Sequence, residues 1–157
     1  MSQDHTNDYE QLKLSNQLCF PFYAASMLIT RYYQPLLDEI DLTYPQYIVL
    51  MVLWEKDEVP VSAISTELLL NTNTLTPLLK RMESSDLIKR IRSKTDERQV
   101  LISLTEKGLK LKEQAALIPQ KMMENINYPI PKALTLMNGI NDFLAALKAG
   151  SATQRRK

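Results

Sequence analysis

Between Leu87 and Thr105 the apolar residues stop recurring at every third or fourth position and begin to alternate, and a helical spacing returns straight afterwards. Leu87 to Ser93 and Gln99 to Thr105 therefore read as two extended arms, with Val100, Ile102 and Leu104 on one face. The polar run Lys94-Thr95-Asp96-Glu97 between them makes the tip of a β-hairpin. The only other candidate strand is the short Val59-Pro60-Val61. Just 3 of 157 residues are glycine, too few for a fold built on many tight β turns or for a glycine-rich phosphate loop. The fold class is thus mainly α with a small β-hairpin.

The helical parts follow from spacing and caps. Leu14, Leu18, Phe22, Ala25, Leu28 and Tyr32 recur in steps of three and four, which predicts a helix over 12–37 with Pro21 near its start. Thr43-Tyr44-Pro45 begins a second helix running to about Glu55. Ser62 caps a brief helix through Leu70, and the Asn71-Thr72-Asn73 turn caps another from about Thr74 to Ser84. Past the hairpin, Thr105 caps a helix reaching Ile126 with a bend at Pro119. Asn127 to Pro131 breaks it, and Lys132 to Ala149 forms the last amphipathic helix. Two short helices followed by a hairpin is the winged helix-turn-helix arrangement, in which the second helix enters a major groove and the hairpin flanks it.

Composition removes several function classes. One cysteine, Cys19, excludes an internal disulfide and a cysteine-based metal site, and one histidine, His5, excludes a histidine cluster; no cofactor or metal is expected. The start carries Asp4, Asp8 and Glu10 without a basic residue, unlike a signal peptide. The longest apolar stretch, Tyr47 to Trp54, is far short of the ~20 residues that cross a bilayer. A cytoplasmic, non-membrane protein is expected.

The net charge is only +1, so a nucleic-acid signal has to lie in placement. Lys80, Arg81, Lys89, Arg90, Arg92, Lys94 and Arg98 outnumber Glu83, Asp86, Asp96 and Glu97 over the second short helix and the hairpin. Asn73, Thr74, Thr76, Pro77, Lys80 and Arg81 lie largely off the apolar face of that helix, and with Thr72 in the turn before it all but the proline are candidate DNA contacts. Their short polar and cationic side chains suit base edges and phosphates. Arg98, beside the polar tip and oriented by Asp96, is placed to enter a minor groove.

Cys19 is the other candidate. Most lone cysteines are small buried hydrophobes, but one near a helix start can hold a thiolate, and hydroxyls such as those of Tyr33 and Tyr44 can stabilise it. Cys19 and Tyr33 are fourteen residues apart, which along a continuous helix is about 21 Å. They can meet only if first helices of two subunits run antiparallel, so a Cys–Tyr site requires a dimer.

The segments Asn16-Gln17-Leu18-Cys19-Phe20, Tyr33-Gln34-Pro35-Leu36-Leu37 and Leu42-Thr43-Tyr44-Pro45-Gln46-Tyr47 resemble the organic hydroperoxide resistance regulators, a branch of the MarR family of bacterial transcription regulators. Thr74 to Arg81 resembles that branch's recognition helix. Asp96-Glu97-Arg98 with Leu101 to Gly108 resembles its wing and the exit from it. The match spans roughly 12–110. Asn73 stands where glycine is common in the family.

The resemblance implies one domain over 1–157, with dimerisation helices at about 12–38 and 105–149 around a DNA-binding lobe at about 45–104. It implies a homodimeric repressor on a pseudo-palindromic operator of double-stranded DNA. Cys19 would be the redox sensor, held as a thiolate by Tyr33 and Tyr44 of the partner subunit and oxidised by organic hydroperoxide to a sulfenic acid. With no second cysteine, a small-molecule thiol is expected to resolve that acid as a mixed disulfide. Two alternatives differ in class. One is a MarR-type repressor relieved by a small aromatic ligand, with Cys19 inert. The other is a one-cysteine thiol peroxidase, for which Leu18-Cys19-Phe20-Pro21 lacks an adjacent basic or hydroxyl residue, so no enzymatic activity is expected.

Overall fold

The computed structural model describes residues 9–93, 96 and 99–154 and divides the chain into two compact units, 1–118 and 119–157. In the first unit two single 3-10 turns, Glu10–Leu12 and Leu14–Asn16, precede helix α1 (Cys19–Asp38). α2 (Tyr44–Glu55), strand β1 (Val59–Pro60), α3 (Val61–Glu67), α4 (Thr72–Ser84), β2 (Ile88–Arg92), β3 (Val100–Leu104) and α5 (Glu106–Ala115) follow. The second unit holds α6 (Ile118–Ile126), which begins at the boundary, and α7 (Ile130–Gln154).

The helix expected from Leu12 starts only at Cys19. Leu12 and Leu14 are exposed, so the apolar spacing has no face to pack on. The Asn16 side chain donates to the Glu10 carbonyl at 2.8 Å, local bonding that competes with helix continuation. Pro21 then falls in the first turn of α1, where its missing N–H costs nothing.

α2 begins as expected: Pro45 occupies its first turn, and the Thr43 N–H donates to Gln46 Oε1 at 2.8 Å, half of a capping box. α3 is capped by Pro60 rather than Ser62, because β1 runs directly into it and proline's fixed φ of −61° suits the entry. α4 begins two residues early, which makes Thr72 and Asn73 helical. The expected 105–126 helix is broken at Ala116 and Leu117 into α5 and α6, with Pro119 in the first turn of α6 rather than at a bend. α7 extends beyond Lys132–Ala149 at both ends.

The hairpin is joined by β1 into a three-stranded antiparallel sheet of order β1-β3-β2. Ile102 pairs with Arg90 on one side and Val59 on the other. The core of this unit is formed by Leu37, Leu50, Leu53, Ile64, Leu75, Leu79, Met82, Ile88 and Ile102, all under 2 % exposed. Asp57 ties the α2–β1 connection to β3, accepting from Ser103 Oγ at 3.0 Å and from the Leu104 N–H at 2.9 Å.

Among the described residues no helix is long and apolar enough to cross a membrane, and no three metal-ligating side chains cluster.

Candidate functional site

α4 buries Leu75, Leu78, Leu79 and Met82 against the rest of the first unit. The stripe diametrically opposite, in steps of four, three and four, is Asn73, Pro77, Lys80 and Ser84. Thr72, Asn73, Thr74, Lys80 and Arg81 are exposed and Thr76 is half-exposed, so the whole candidate set on this helix is accessible. Sequence reasoning put Pro77 off the apolar face, where it lies, but missed Ser84 as a member of the outward stripe, although counting from the apolar residues alone would have found it. Pro77 lies inside α4, not in its first turn, so the Asn73 carbonyl lacks its usual donor four residues on. The helix therefore presents a hydroxyl, an amide, an apolar ring and a cation along one accessible stripe, with Arg81 exposed beside it. That combination can bond base edges, meet a thymine methyl and neutralise phosphate.

The flanking strand β2 adds Lys89 and Arg92, both exposed. At the base of the hairpin tip Asp96 is exposed and its N–H donates to Ser93 Oγ at 3.3 Å. Lys94, Thr95, Glu97 and Arg98 lie outside the described residues, and with them the expected Asp96–Arg98 pairing.

The second cluster is aromatic. Tyr33, from the later half of α1, and Tyr44, the first residue of α2, have ring centroids 5.1 Å apart. Tyr47 completes the group at 5.9 Å from Tyr33 and 6.4 Å from Tyr44, and Trp54 stands edge-on to Tyr47 at 6.3 Å. Burial, and then the neighbouring Tyr44, push the Tyr33 phenol above its ordinary value; Tyr47 is pushed up by burial and then by Tyr33 and Tyr44. Both phenols therefore keep their protons and remain hydrogen-bond donors at neutral pH.

Cys19 is the first residue of α1 and is exposed, contrary to the buried-hydrophobe alternative. α1 runs unbroken from Cys19 to Asp38, so within one chain Cys19 and Tyr33 are separated by about 21 Å of helix. The structure thus brings Tyr33 and Tyr44 together and leaves Cys19 away from both. Around Cys19 the same helix exposes Phe20, Phe22, Tyr23, Met27, Leu28 and Ile29.

Comparison with known proteins supplies the rest. The sequence profile of the SarA/Rot transcriptional regulators matches residues 31–115. The organic hydroperoxide resistance transcriptional regulator of Bacillus subtilis (strain 168) is 53% identical over 113 residues, covering 72% of this chain and 77% of that protein. Reduced AbfR bound to DNA superposes with a TM-score of 0.71 at 36% identity over 88% of this chain and 97% of its own. Overoxidised AbfR, also bound to DNA, superposes with a TM-score of 0.70 at the same identity and coverage. AbfR is a Staphylococcus epidermidis protein.

Proposed function

The chain belongs to the MarR family of winged-helix, DNA-binding transcriptional regulators, within the organic hydroperoxide resistance branch, and on that premise we propose a homodimeric repressor that senses organic hydroperoxide through Cys19. The observation that carries the reading is the division of the site along α1. Two neighbouring phenols lie at one end and an exposed thiol at the other, a distance that only a second subunit closes.

The dimer is supported by apolar faces left open in each unit. α1 exposes the residues named above, and α7 exposes Ile130, Leu134, Leu136, Met137, Leu144 and Leu147. Exposed apolar surface of this extent marks an interaction site. In the dimer the partner's Tyr33 and Tyr44 hydroxyls donate to the Cys19 thiolate, and each subunit's α4 reads one half-site of a pseudo-palindrome. Thr72, Asn73, Thr74, Thr76, Lys80 and Arg81 make the groove contacts, and Arg98, oriented by Asp96, enters the minor groove.

The thiolate attacks the terminal oxygen of the hydroperoxide. The O–O bond breaks, the alkoxide takes a proton from solvent and leaves as the alcohol, and Cys19 becomes a sulfenic acid. A small-molecule thiol then attacks the sulfenic sulfur and water leaves, giving a mixed disulfide. Because overoxidised AbfR was solved on DNA, added oxygen alone is a weak lever. The bulk of a thiol adduct, wedged between the phenols and the helix start, is what separates the two recognition helices from their groove spacing.

The test is intact mass and operator binding after one equivalent of organic hydroperoxide, with and without a small thiol. A single thiol adduct, absent in Cys19→Ser and accompanied by DNA release, is the expected result. An unmodified mass would make Cys19 structural. A species of twice the subunit mass would show a Cys19–Cys19 bond in place of the adduct.

A further inference from the structure

α4 ends in a complete helix stop. Asp86 takes a left-handed backbone with φ 58°, its N–H bonds to the Glu83 carbonyl at 3.0 Å, and the Leu87 N–H reaches back to the Met82 carbonyl at 3.0 Å. This geometry turns the carbonyls of Ser85, Asp86 and Leu87 out of the helix. All three are taken by the start of α5. Lys107 Nζ donates to the Ser85 carbonyl at 2.9 Å, Thr105 Oγ1 to that of Asp86 at 2.6 Å, and the Thr105 N–H to that of Leu87 at 3.2 Å.

The same turn is locked from within and from behind. Thr105 Oγ1 accepts the Gly108 N–H at 3.0 Å, and Trp54 Nε1 donates to the Gly108 carbonyl at 2.9 Å. A Cβ at position 108 would lie 2.1 Å from the Leu87 carbonyl oxygen, so only glycine permits this approach. Lys112 Nζ returns to the Trp54 carbonyl at 2.9 Å. The first turn of α5 is thereby bonded to the ends of both α4 and α2.

We propose that Lys107 and Thr105, seated by Gly108, are positioning residues for DNA reading: they fix the direction in which α4 carries Asn73, Lys80 and Arg81 relative to α5, and so set the spacing between the two recognition helices of a dimer. The inference rests on the function proposed above. Lys107 is exposed and holds a carbonyl at a helix C-terminus, so its ammonium adds little to the core while constraining the end of the reading helix. Each bond acts on backbone, so the constraint is independent of which side chains α4 presents.

The experiment uses the full-length protein and a pseudo-palindromic duplex selected by the wild type from a randomised pool. It is compared with the same duplex carrying one extra central base pair, and with a single half-site. Lys107→Met should bind the selected duplex about three- to tenfold more weakly, the effect of one hydrogen bond. It should discriminate less against the lengthened duplex, with half-site affinity, salt dependence and melting temperature unchanged. Lys107→Arg, which keeps a donor, should recover the spacing preference, and Thr105→Val should lose it.

Unchanged discrimination in Lys107→Met would overturn the assignment. So would a uniform loss on every duplex with a shallower salt dependence, which would make Lys107 a phosphate contact. A wild type that selects no palindromic duplex is a distinct result, and it would overturn the parent reading.

Discussion

The rings of Tyr33 and Tyr44 lie 5.1 Å apart and tilted by 56°, joining α1 to the first residue of α2 through two aromatic rings that each carry a hydroxyl. Either hydroxyl can be removed while its ring stays in place. Tyr33→Phe should slow oxidation of Cys19 by organic hydroperoxide about tenfold, as expected for one hydrogen bond to a thiolate, with little change in melting temperature. Stopped-flow thiol oxidation is the measurement, and an unchanged rate would remove Tyr33 from the thiolate's surroundings.

Lys80 lies on the stripe of α4 opposite the buried face and is exposed. Lys80→Gln should weaken binding on all DNA sequences to a similar degree. The slope of log affinity against log salt should fall by about 0.9, the share of one phosphate contact. Titrations at several salt concentrations decide it, and an unaltered slope would point Lys80 away from the backbone.

Gly108 has no room for a side chain, because the obstacle is the Leu87 carbonyl and not a movable side chain. Gly108→Ala should destabilise the fold by about 2–3 kcal/mol through backbone displacement. The melting temperature should fall by roughly 5–10 °C for a domain of this size. A melting curve matching the wild type would mean that α5 can shift freely off the Leu87 carbonyl.

Tyr33 and Tyr47 hold their phenolic protons more tightly in the folded chain than the ordinary 10.0. The raised value means the fold favours the neutral form. Their contribution is therefore complete below the ordinary tyrosine range and is lost as pH climbs through the raised values. Ultraviolet titration should show these two tyrosines ionising above the ordinary tyrosine range, and unfolding should follow their ionisation. Ionisation of both within the ordinary range while the fold stays intact would contradict this.

Much of this was legible in the sequence. The hairpin, the Thr43 start of α2 and the apolar face of α4 each have a local cause: alternation, a capping residue and a helical repeat of leucines. The start of α1 was not legible, because Leu14 and Leu18 keep helical spacing without a surface in the chain to meet, and side-chain bonds such as that of Asn16 win locally. The third strand was read as a segment, but its pairing with β3 was not. Two residues carry too little pattern, and the partner lies some forty residues away. Periodicity was equally silent on the division at Ala116, where two helices share one apolar repeat. Exposure of Cys19 needed coordinates, since flanking Leu18 and Phe20 suggest burial and are themselves exposed.

The unbroken run of α1 has a genetic consequence. A sensor whose thiol and phenols sit at opposite ends of one rigid helix is built, in the proposed dimer, from halves of two polypeptides. A chain with Cys19→Ser and a chain with Tyr33→Phe are each impaired as a homodimer. Paired with each other, they leave one of the two sites with both damaged halves and the other wholly intact. Co-expression of the two should therefore restore peroxide response to half of the sites in every mixed dimer, as intragenic complementation does. Two defects carried on the same chain should leave no intact site in its homodimer.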